Sequence, residues 1–389
     1  MSFLDLAIVC AVALAGPLLA APLRWRLPVV LGELVAGVVL GVTGFGLLDA
    51  SDSTFTFLGN AGFVLVMFVG GTQVPVRDPR LRSALRTGLV RAVIVGAAAC
   101  VLGYAVSRLV DIHHAPLYAV LMASSSAALV LPIVGSLGLD GPALVELLPQ
   151  IAVADAMCIV LLPLAIDPAH VGRAALGAAV VLAAGGVLFL LLRAVERSGV
   201  RERVHRVSED RQFAVELRVS LAALFAMAAL AVSVHVSLML AGFVAGLTVS
   251  AVGEPRRVAR QLFAVTEGFF GPLFFVWLGA GLQLRDLAHH PSMIGLGVCL
   301  GLGAAVAHLV PVALRQPAPY AMLATAQLGV PVAATTIGGQ LGLLRPGEGA
   351  ALILGALVTL VVTVGGGALA ARTTPAETAP PAAPEAAAG

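Results

Sequence analysis

The sequence predicts an all-α integral membrane protein of about thirteen transmembrane helices. Of its 389 residues, 59% are hydrophobic and only 11% are charged, whereas soluble domains carry about 25% charged residues. Hydrophobic runs long enough to cross a bilayer recur along the chain, and each must be helical because unpaired backbone groups are not tolerated in hydrocarbon. Glycine is abundant, with 43 residues, which is typical of closely packed membrane helices. The lipid bilayer is therefore the first expected partner.

Thirteen apolar runs are long enough to be spans. The first resembles a signal peptide only superficially, because no basic residue precedes it and Arg24 and Arg26 follow it, so we expect it to be retained as a helix. The predicted spans are 4–22, 28–48, 54–73, 88–109, 115–137, 143–166, 171–194, 214–234, 236–252, 261–284, 292–314, 317–343 and 346–370.

The distribution of basic residues predicts the orientation in the membrane. All 23 basic residues are arginines. With an odd number of spans and the N-terminus outside, 19 arginines fall on the inner side and four on the outer side, as the positive-inside rule requires. We therefore expect a multi-pass protein of the inner (plasma) membrane with a cytoplasmic C-terminus. The Ala/Pro-rich segment 373–389 is predicted to be a disordered cytoplasmic tail.

A basic stretch at residues 193–218 raises the alternative of nucleic-acid binding. It also contains acidic residues and lacks interleaved aromatic side chains. A cytoplasmic loop that contacts anionic lipid headgroups explains it better. We expect no nucleic-acid partner.

Asp155 is the strongest candidate for a functional residue. It lies near the middle of the apolar run QIAVADAMCIVLLPLAI, with no arginine within reach along the same helix. Ionisable side chains inside a membrane are costly and usually mark ion or proton pathways. A carboxylate there can hold a proton or, once the proton has left, a cation, which is the minimal machinery of exchange. The alternative is a structural aspartate bonded to backbone or hydroxyl groups.

Two predicted spans contain residues that interrupt helices. LMASSSAALVLPIVGSLG carries three serines and Pro132, and AMLATAQLGVPVAATTIGGQLGLL carries Gln327 with glycines and Pro331, near Thr325. Interrupted spans in opposite halves of a chain indicate an inverted-repeat transporter, whose freed carbonyls and half-helix ends face the transported ion. Ser hydroxyls that bond back to their own helix and tolerated Pro kinks are the alternative.

The remaining intramembrane and loop candidates are weaker. His308 lies within a span and is interpreted as a proton relay, a hydrogen-bond donor or a packing residue. Glu33 and Glu267 lie nearer to span ends, which favours structural or interfacial roles. Histidines 113, 114, 289 and 290 fall in predicted outer loops, where exposed histidines are usually solvated.

Several segments resemble the monovalent cation:proton antiporters of the bacterial sodium/proton and Kef-type potassium group. LRWRLPVVLGELVAGVVLGVTGFGLL resembles the second helix of that family, and LGNAGFVLVMFVGGTQVPVRDPRLR resembles the next helix and its basic inner loop. SSSAALVLPIVGSLGL matches the Thr-Ser segment, with Ser125 and Ser126 at the Thr-Ser positions, and GPLFFVWLGAGLQL resembles the Pro-Phe-Phe…Gly helix. The resemblance covers residues 8 to 368 in the family's order.

The resemblance implies roles for individual residues. Asp155 occupies the position of the essential aspartate that binds cation and proton alternately. Ala154 stands where the family usually has Asp, Asn or Gln, and His308 stands near the place of a membrane-embedded Lys in electrogenic members. AQLGV at 326–330 replaces the common Ala-Gln-Arg-Gly-Glu. A single carboxylate suggests exchange of one cation for one proton.

The resemblance also implies an architecture and an oligomeric state. A transmembrane antiporter domain at 1–372 would contain two crossed discontinuous helices and would form a homodimer. It would consist of a core bundle at about 88–166 and 292–370, a dimerisation panel at about 4–73 and 214–284, and a linker helix at about 171–194.

We expect electroneutral exchange of Na⁺ or K⁺ for H⁺ by alternating access, with no cofactor. Asp155, Ser125 and Ser126 would bind the cation and the proton. His308, Gln327, Thr325, Pro132 and Ala154 would support that site. Two other functions remain open at this point. His308 could be a second titrating group, which would make exchange electrogenic at low pH, or the protein could be a non-exchanging cation channel or binding protein. An intramembrane enzyme is disfavoured, because no metal motif or nucleophile–base spacing occurs in the sequence.

Overall fold

A computed structural model describes residues 1–21, 29–72, 79–198, 215–234, 236–253, 256–282 and 284–373. These residues are helical or in turns and loops, with no β-strand among them. Nine helices in the described ranges are long and apolar enough to cross a membrane. The all-α membrane fold is therefore confirmed.

The structure gives the bounds of each helix. They are α1 (Phe3–Ala13), α2 (Ala15–Ala20), α3 (Val29–Leu40), α4 (Ser53–Thr72), α5 (Pro79–Leu109), α6 (Ala115–Ala123), α7 (Ala127–Leu137), α8 (Pro142–Ile166), α9 (Val171–Arg197), α10 (Val215–Ser233), α11 (Leu238–Val252), α12 (Arg256–Val265), α13 (Gly271–Gly281), α14 (Leu284–His289), α15 (Pro291–Leu309), α16 (Ala318–Leu323), α17 (Gly329–Gln340) and α18 (Glu348–Thr373). A π-helical turn, Thr266–Phe270, joins α12 to α13.

The nine long apolar segments account for nine of the predicted spans. The other four predicted spans fall on the shorter helices α3 and α11 and on two pairs of short helices, α6–α7 and α16–α17. The count of thirteen spans thus stays a prediction. Thr373 ends α18, and the rest of the predicted tail lies outside the described residues.

Helix contacts form two groups. In one, α5 packs against α6 and α8, while α18 packs against α15, α16 and α17. In the other, α4 packs against α11, and α13 packs against α3 and α4. Helix α9 contacts α8, α10 and α11 and so touches both groups. The predicted division into bundle, panel and linker stays a prediction.

Glycines allow the helices of the second group to approach closely. A Cβ atom added at Gly279 of α13 would lie 3.0 Å from the Cα atom of Gly37 on α3. A Cβ atom at Gly246 of α11 would lie 3.0 Å from the Cα atom of Gly71 on α4 and would collide with the carbonyl oxygen of Phe68. Membrane helices associate by such van der Waals packing, since lipid supplies no hydrophobic driving force between them.

Two helices differ in length from the predicted spans. Helix α3 ends at Leu40 because the chain turns back there: the amide groups of Phe45 and Leu47 donate to the carbonyl groups of Val39 and Leu40. Gly46, with φ of +66°, supplies the left-handed conformation of this turn. Helix α5 begins nine residues before the predicted span, at Pro79, where proline is favoured because the first helical position needs no N–H.

Both predicted interruptions are present in the structure. Residues 124–126 separate α6 from α7, and residues 324–328 separate α16 from α17. The first break falls on the three serines, whereas Pro132 lies within α7; its side chain is outside the described residues. Pro331 lies in the first turn of α17, where its missing N–H costs no hydrogen bond.

We predict that Gly246→Ala lowers the stability of the protein in detergent by about 1–3 kcal/mol, the usual cost of overpacking a tight contact. Gly186→Ala on α9 is the matched control, since its added Cβ would meet no heavy atom within 4 Å. Thermal unfolding of both purified variants measures the difference. Equal midpoints for the two variants would contradict this account of helix packing.

Candidate cation site

Asp155 lies on α8 beside the first helix break. Its Oδ2 atom accepts a hydrogen bond of 3.3 Å from the backbone N–H of Ala127, the first residue of α7. The N-terminus of a helix carries unpaired N–H groups and a partial positive charge, so it is a favourable neighbour for a carboxylate. The residue as a whole is partly buried.

The serines at the first break are buried and bonded to different partners. Ser124 donates to the carbonyl oxygen of Leu121 in its own helix, at 2.8 Å. Ser125 donates to the carbonyl oxygen of Ala324 at the second break, at 2.6 Å. Ser126 precedes α7 with an extended backbone. A hydroxyl that donates its proton keeps its oxygen lone pairs, so Ser125 can still face a cation.

The hydrogen bond from Ser125 to Ala324 brings the two interrupted helices together. The residues it joins are 199 positions apart in the chain. The side chains of both Thr325 and Gln327 at the second break are buried. Thr325 donates to the carbonyl oxygen of Ala321 at 3.3 Å, and the Nε2 atom of Gln327 is buried without a hydrogen-bond partner among the described residues. The site thus joins Asp155, the serine break and the second break.

Two further predicted site residues are placed differently. Ala154 is buried next to Asp155 on α8 and adds no polar atom to the site. His308, on α15, is also buried, and its Nδ1 atom lies 3.0 Å from the carbonyl oxygen of Ala304 in the same helix. Among the described interactions, no hydrogen bond joins His308 to Asp155. Its Nε2 atom is buried without a partner in the described part of the chain.

A cavity of about 590 Å³ lies between the two groups of helices, on the side predicted to be outside. Pro163 and Ile166 of α8 and the end of α17 form one wall, and α4, α10 and α11 form the other. Its polar lining residues are Asn60, Asp167, His170, Arg173, Ser237, Thr336 and Gln340. Pro163 lies eight residues beyond Asp155, about 12 Å along the helix at 1.5 Å per residue.

Comparison with known families gives a decisive match. The family described as "Sodium/hydrogen exchanger, transmembrane" matches residues 9–371, nearly the whole chain. The protein belongs to the sodium/hydrogen exchanger family. The resemblance inferred from the sequence is therefore confirmed.

Individual relatives of this exchanger-family protein are distant. YjbQ of Bacillus subtilis, described as a candidate Na⁺/H⁺ antiporter, is 24% identical over 383 residues, which cover 93% of this chain and 62% of YjbQ. The glutathione-regulated potassium-efflux protein KefC of Enterobacter sp. (strain 638) is 27% identical over 289 residues, which cover 70% of this chain and 44% of KefC. The chain spans less than two thirds of the length of either protein.

A solved structure shows the fold. The sodium proton antiporter MjNhaP1 of Methanocaldococcus jannaschii superposes with a TM-score of 0.64, covering 98% of this chain and 100% of that chain at 14% identity. The antiporter fold predicted from the sequence is thereby confirmed.

The sequence did not predict three polar pairs that link helices within the bundle. Arg91 on α5 forms an ion pair of 2.7 Å with Glu146 on α8. Gln316, just before α16, donates to Gln150 on α8 at 2.9 Å, and both side chains are buried. The third pair joins His114 to Glu348. Each partner lies at least 55 residues from the other, so local sequence patterns carry no signal for these pairs.

We predict that Ser125→Ala destabilises the protein by about 1–3 kcal/mol, because the buried Ala324 carbonyl loses a donor. Ser124→Ala is the matched control, since it removes a bond within a single helix, and its cost should be at most about 1 kcal/mol. Thermal unfolding in detergent compares the two variants. A greater loss for Ser124→Ala would show that the contact between the breaks contributes little.

Proposed function

We propose that this protein exchanges a monovalent cation for protons, with Asp155 binding the two alternately. The observation that carries the proposal is the position of the Asp155 carboxylate, at the start of α7 and beside the contact between the two helix breaks. Membership in the sodium/hydrogen exchanger family supports the same activity. The antiporter description of YjbQ also agrees with it.

The proposed chemistry is competition for a single carboxylate. The backbone N–H of Ala127 holds one carboxylate oxygen, so the group stays oriented whether or not an ion is bound. When Asp155 is ionised, a cation binds to it, with oxygens of Ser125 and Ser126 completing the coordination. Hard monovalent and divalent cations prefer such oxygen ligands. When a proton binds instead, the attraction for the cation is lost and the cation leaves.

Alternating access explains how the same group serves both sides of the membrane. The cavity at the interface of the two helix groups reaches α8 about 12 Å from Asp155, and Asp155 does not line it. We infer that the bundle moves against the panel and that this motion opens the route between cavity and site. Helix α9, which contacts both groups, acts as the linker during the motion.

We propose a stoichiometry of one cation for one proton. The neighbour of Asp155 is the apolar Ala154, and His308 is bonded within its own helix. Binding a cation and releasing a proton at one carboxylate moves no net charge. Na⁺ and K⁺ are the candidate cations, since the named relatives include an Na⁺/H⁺ antiporter candidate and a potassium-efflux protein. We further propose that the protein is a homodimer of the plasma membrane with its N-terminus outside.

Removing the charge of Asp155 tests the mechanism. In proteoliposomes that contain a ΔpH-sensitive dye, addition of Na⁺ or K⁺ to the wild-type protein should dissipate a pH gradient. Asp155→Asn should reduce the signal to background, because an amide neither releases a proton nor attracts the cation with a full charge. Asp111→Asn makes the same chemical change at an exposed loop position with φ of +52°, which Asn tolerates, and should retain wild-type exchange.

Exchange at the wild-type rate by Asp155→Asn would exclude the mechanism. Cation flux without proton movement in the wild-type protein would identify a channel instead of an exchanger.

The one-for-one stoichiometry predicts that exchange does not depend on membrane voltage. Each net charge that crosses the membrane would contribute about 2.3 kcal/mol per 100 mV, so electrogenic exchange responds strongly to an imposed potential. Initial rates should remain equal with and without such a potential across the active pH range. A voltage dependence confined to low pH would instead identify His308 as a second titrating group, and His308→Gln would then abolish it.

A further inference from the structure

A buried cluster joins the start of α6 to the start of α18. The carboxylate of Glu348, the first residue of α18, is fully buried. Its Oε1 atom lies 2.7 Å from Nδ1 of His114 and accepts a hydrogen bond of 2.8 Å from the hydroxyl of Tyr118. Its Oε2 atom accepts a bond of 2.8 Å from the backbone N–H of Arg345. Both oxygens are thus occupied by groups of the protein itself, so the cluster is a joint and not a ligand site.

The opposite end of the bundle has a corresponding joint without ionisable groups. Gln316 lies two residues before α16 and pairs with Gln150 of α8. His114 lies one residue before α6 and pairs with Glu348 of α18. In each case the start of an interrupted helix from one half of the chain is tied to the long helix that follows the interruption in the other half. The chemistry differs, since only the joint with Glu348 contains groups that titrate.

We propose that His114, Tyr118 and Glu348 form an ionisable clamp that positions α6 and, through it, the serine break beside Asp155. This inference rests on the exchange proposed above. Helix α6 has only nine residues, and its C-terminal end leads directly into Ser124. A shift of its start therefore moves the break, whose position relative to α8 sets the contact between Ala127 and Asp155.

The clamp strength depends on the charge of His114. Histidine is the side chain whose charge normally changes between about pH 5 and 8, and a cationic imidazole adds a direct attraction between opposite charges to its hydrogen bond with a carboxylate. The clamp is therefore stronger with a cationic His114 against an anionic Glu348 than with a neutral side chain at position 114. The charged side chain of Arg345 acts electrostatically on Tyr118. The other titratable side chains on this end of the packed elements are Arg108, Asp111, His113, Asp167, Arg285, His289 and His290.

Glutamine variants of two neighbouring histidines separate the clamp from other effects of pH. His114→Gln keeps a neutral donor at the clamp, whereas His113→Gln removes an exposed titratable group one residue away. At pH 6, hydrogen exchange of the α6 backbone amides should be about fivefold faster in His114→Gln than in His113→Gln. At pH 8.5 the two variants should be alike. This measurement needs no transport activity, so it decides the clamp even if the proposed exchange fails.

Transport rates give the second readout. Protons compete at Asp155 in both variants, so the ratio of the two exchange rates cancels that effect. The exchange rate of His114→Gln divided by that of His113→Gln should change about fivefold between pH 6 and 8.5. A double-mutant cycle with Glu348→Gln should show that His114→Gln has no further effect once the carboxylate charge is absent. Equal α6 protection in the two histidine variants overturns the clamp, and a constant rate ratio overturns its link to exchange.

Discussion

The structure depends on one constraint, that a polar backbone group inside a membrane must find a partner within the protein. A continuous helix meets this constraint by itself, but the two interruptions in the chain do not. At the first break, the free N–H of Ala127 is bonded by the carboxylate of Asp155. At the second, the free carbonyl of Ala324 is bonded by the hydroxyl of Ser125. The groups that satisfy the broken backbone are thus the groups that form the candidate ion site.

This coincidence explains why some of the site could be predicted from the sequence. A carboxylate in an apolar run and a row of serines in a span are local anomalies, and each is expensive in lipid unless it has a function. Asp155 and the two helix breaks are therefore visible without any knowledge of the fold. The bond between Ser125 and Ala324 is not, because it joins residues 199 positions apart. The same limit applies to His114, whose sequence context is that of a solvated loop, whereas its partner Glu348 comes 234 residues later.

The predicted helix bounds were wrong where backbone geometry, rather than hydropathy, determines the end of a helix. The apolar run that contains α3 continues to Leu48, but the helix ends at Leu40 because a glycine turn follows. Helix α5 extends beyond its apolar run into a segment whose sequence is rich in arginine. Hydropathy indicates which segments of the chain can lie in the lipid bilayer. The ends of helices depend in addition on turns and caps.

Close glycine contacts occur in both helix groups, and the bundle adds polar pairs between helix ends, which bears on how the protein moves. In the group of α3, α4, α11 and α13, glycines place backbone against backbone, and such contacts resist sliding because any shift creates collisions. In the other group, polar pairs such as Gln150–Gln316 and His114–Glu348 tie the ends of short helices to long ones. These ties add to apolar packing, since residues 117–122 of α6 are all buried. A rigid panel beside a bundle whose half-helices are both packed and tied by polar pairs suits a carrier, because the moving part can turn as a unit without loosening the ion ligands.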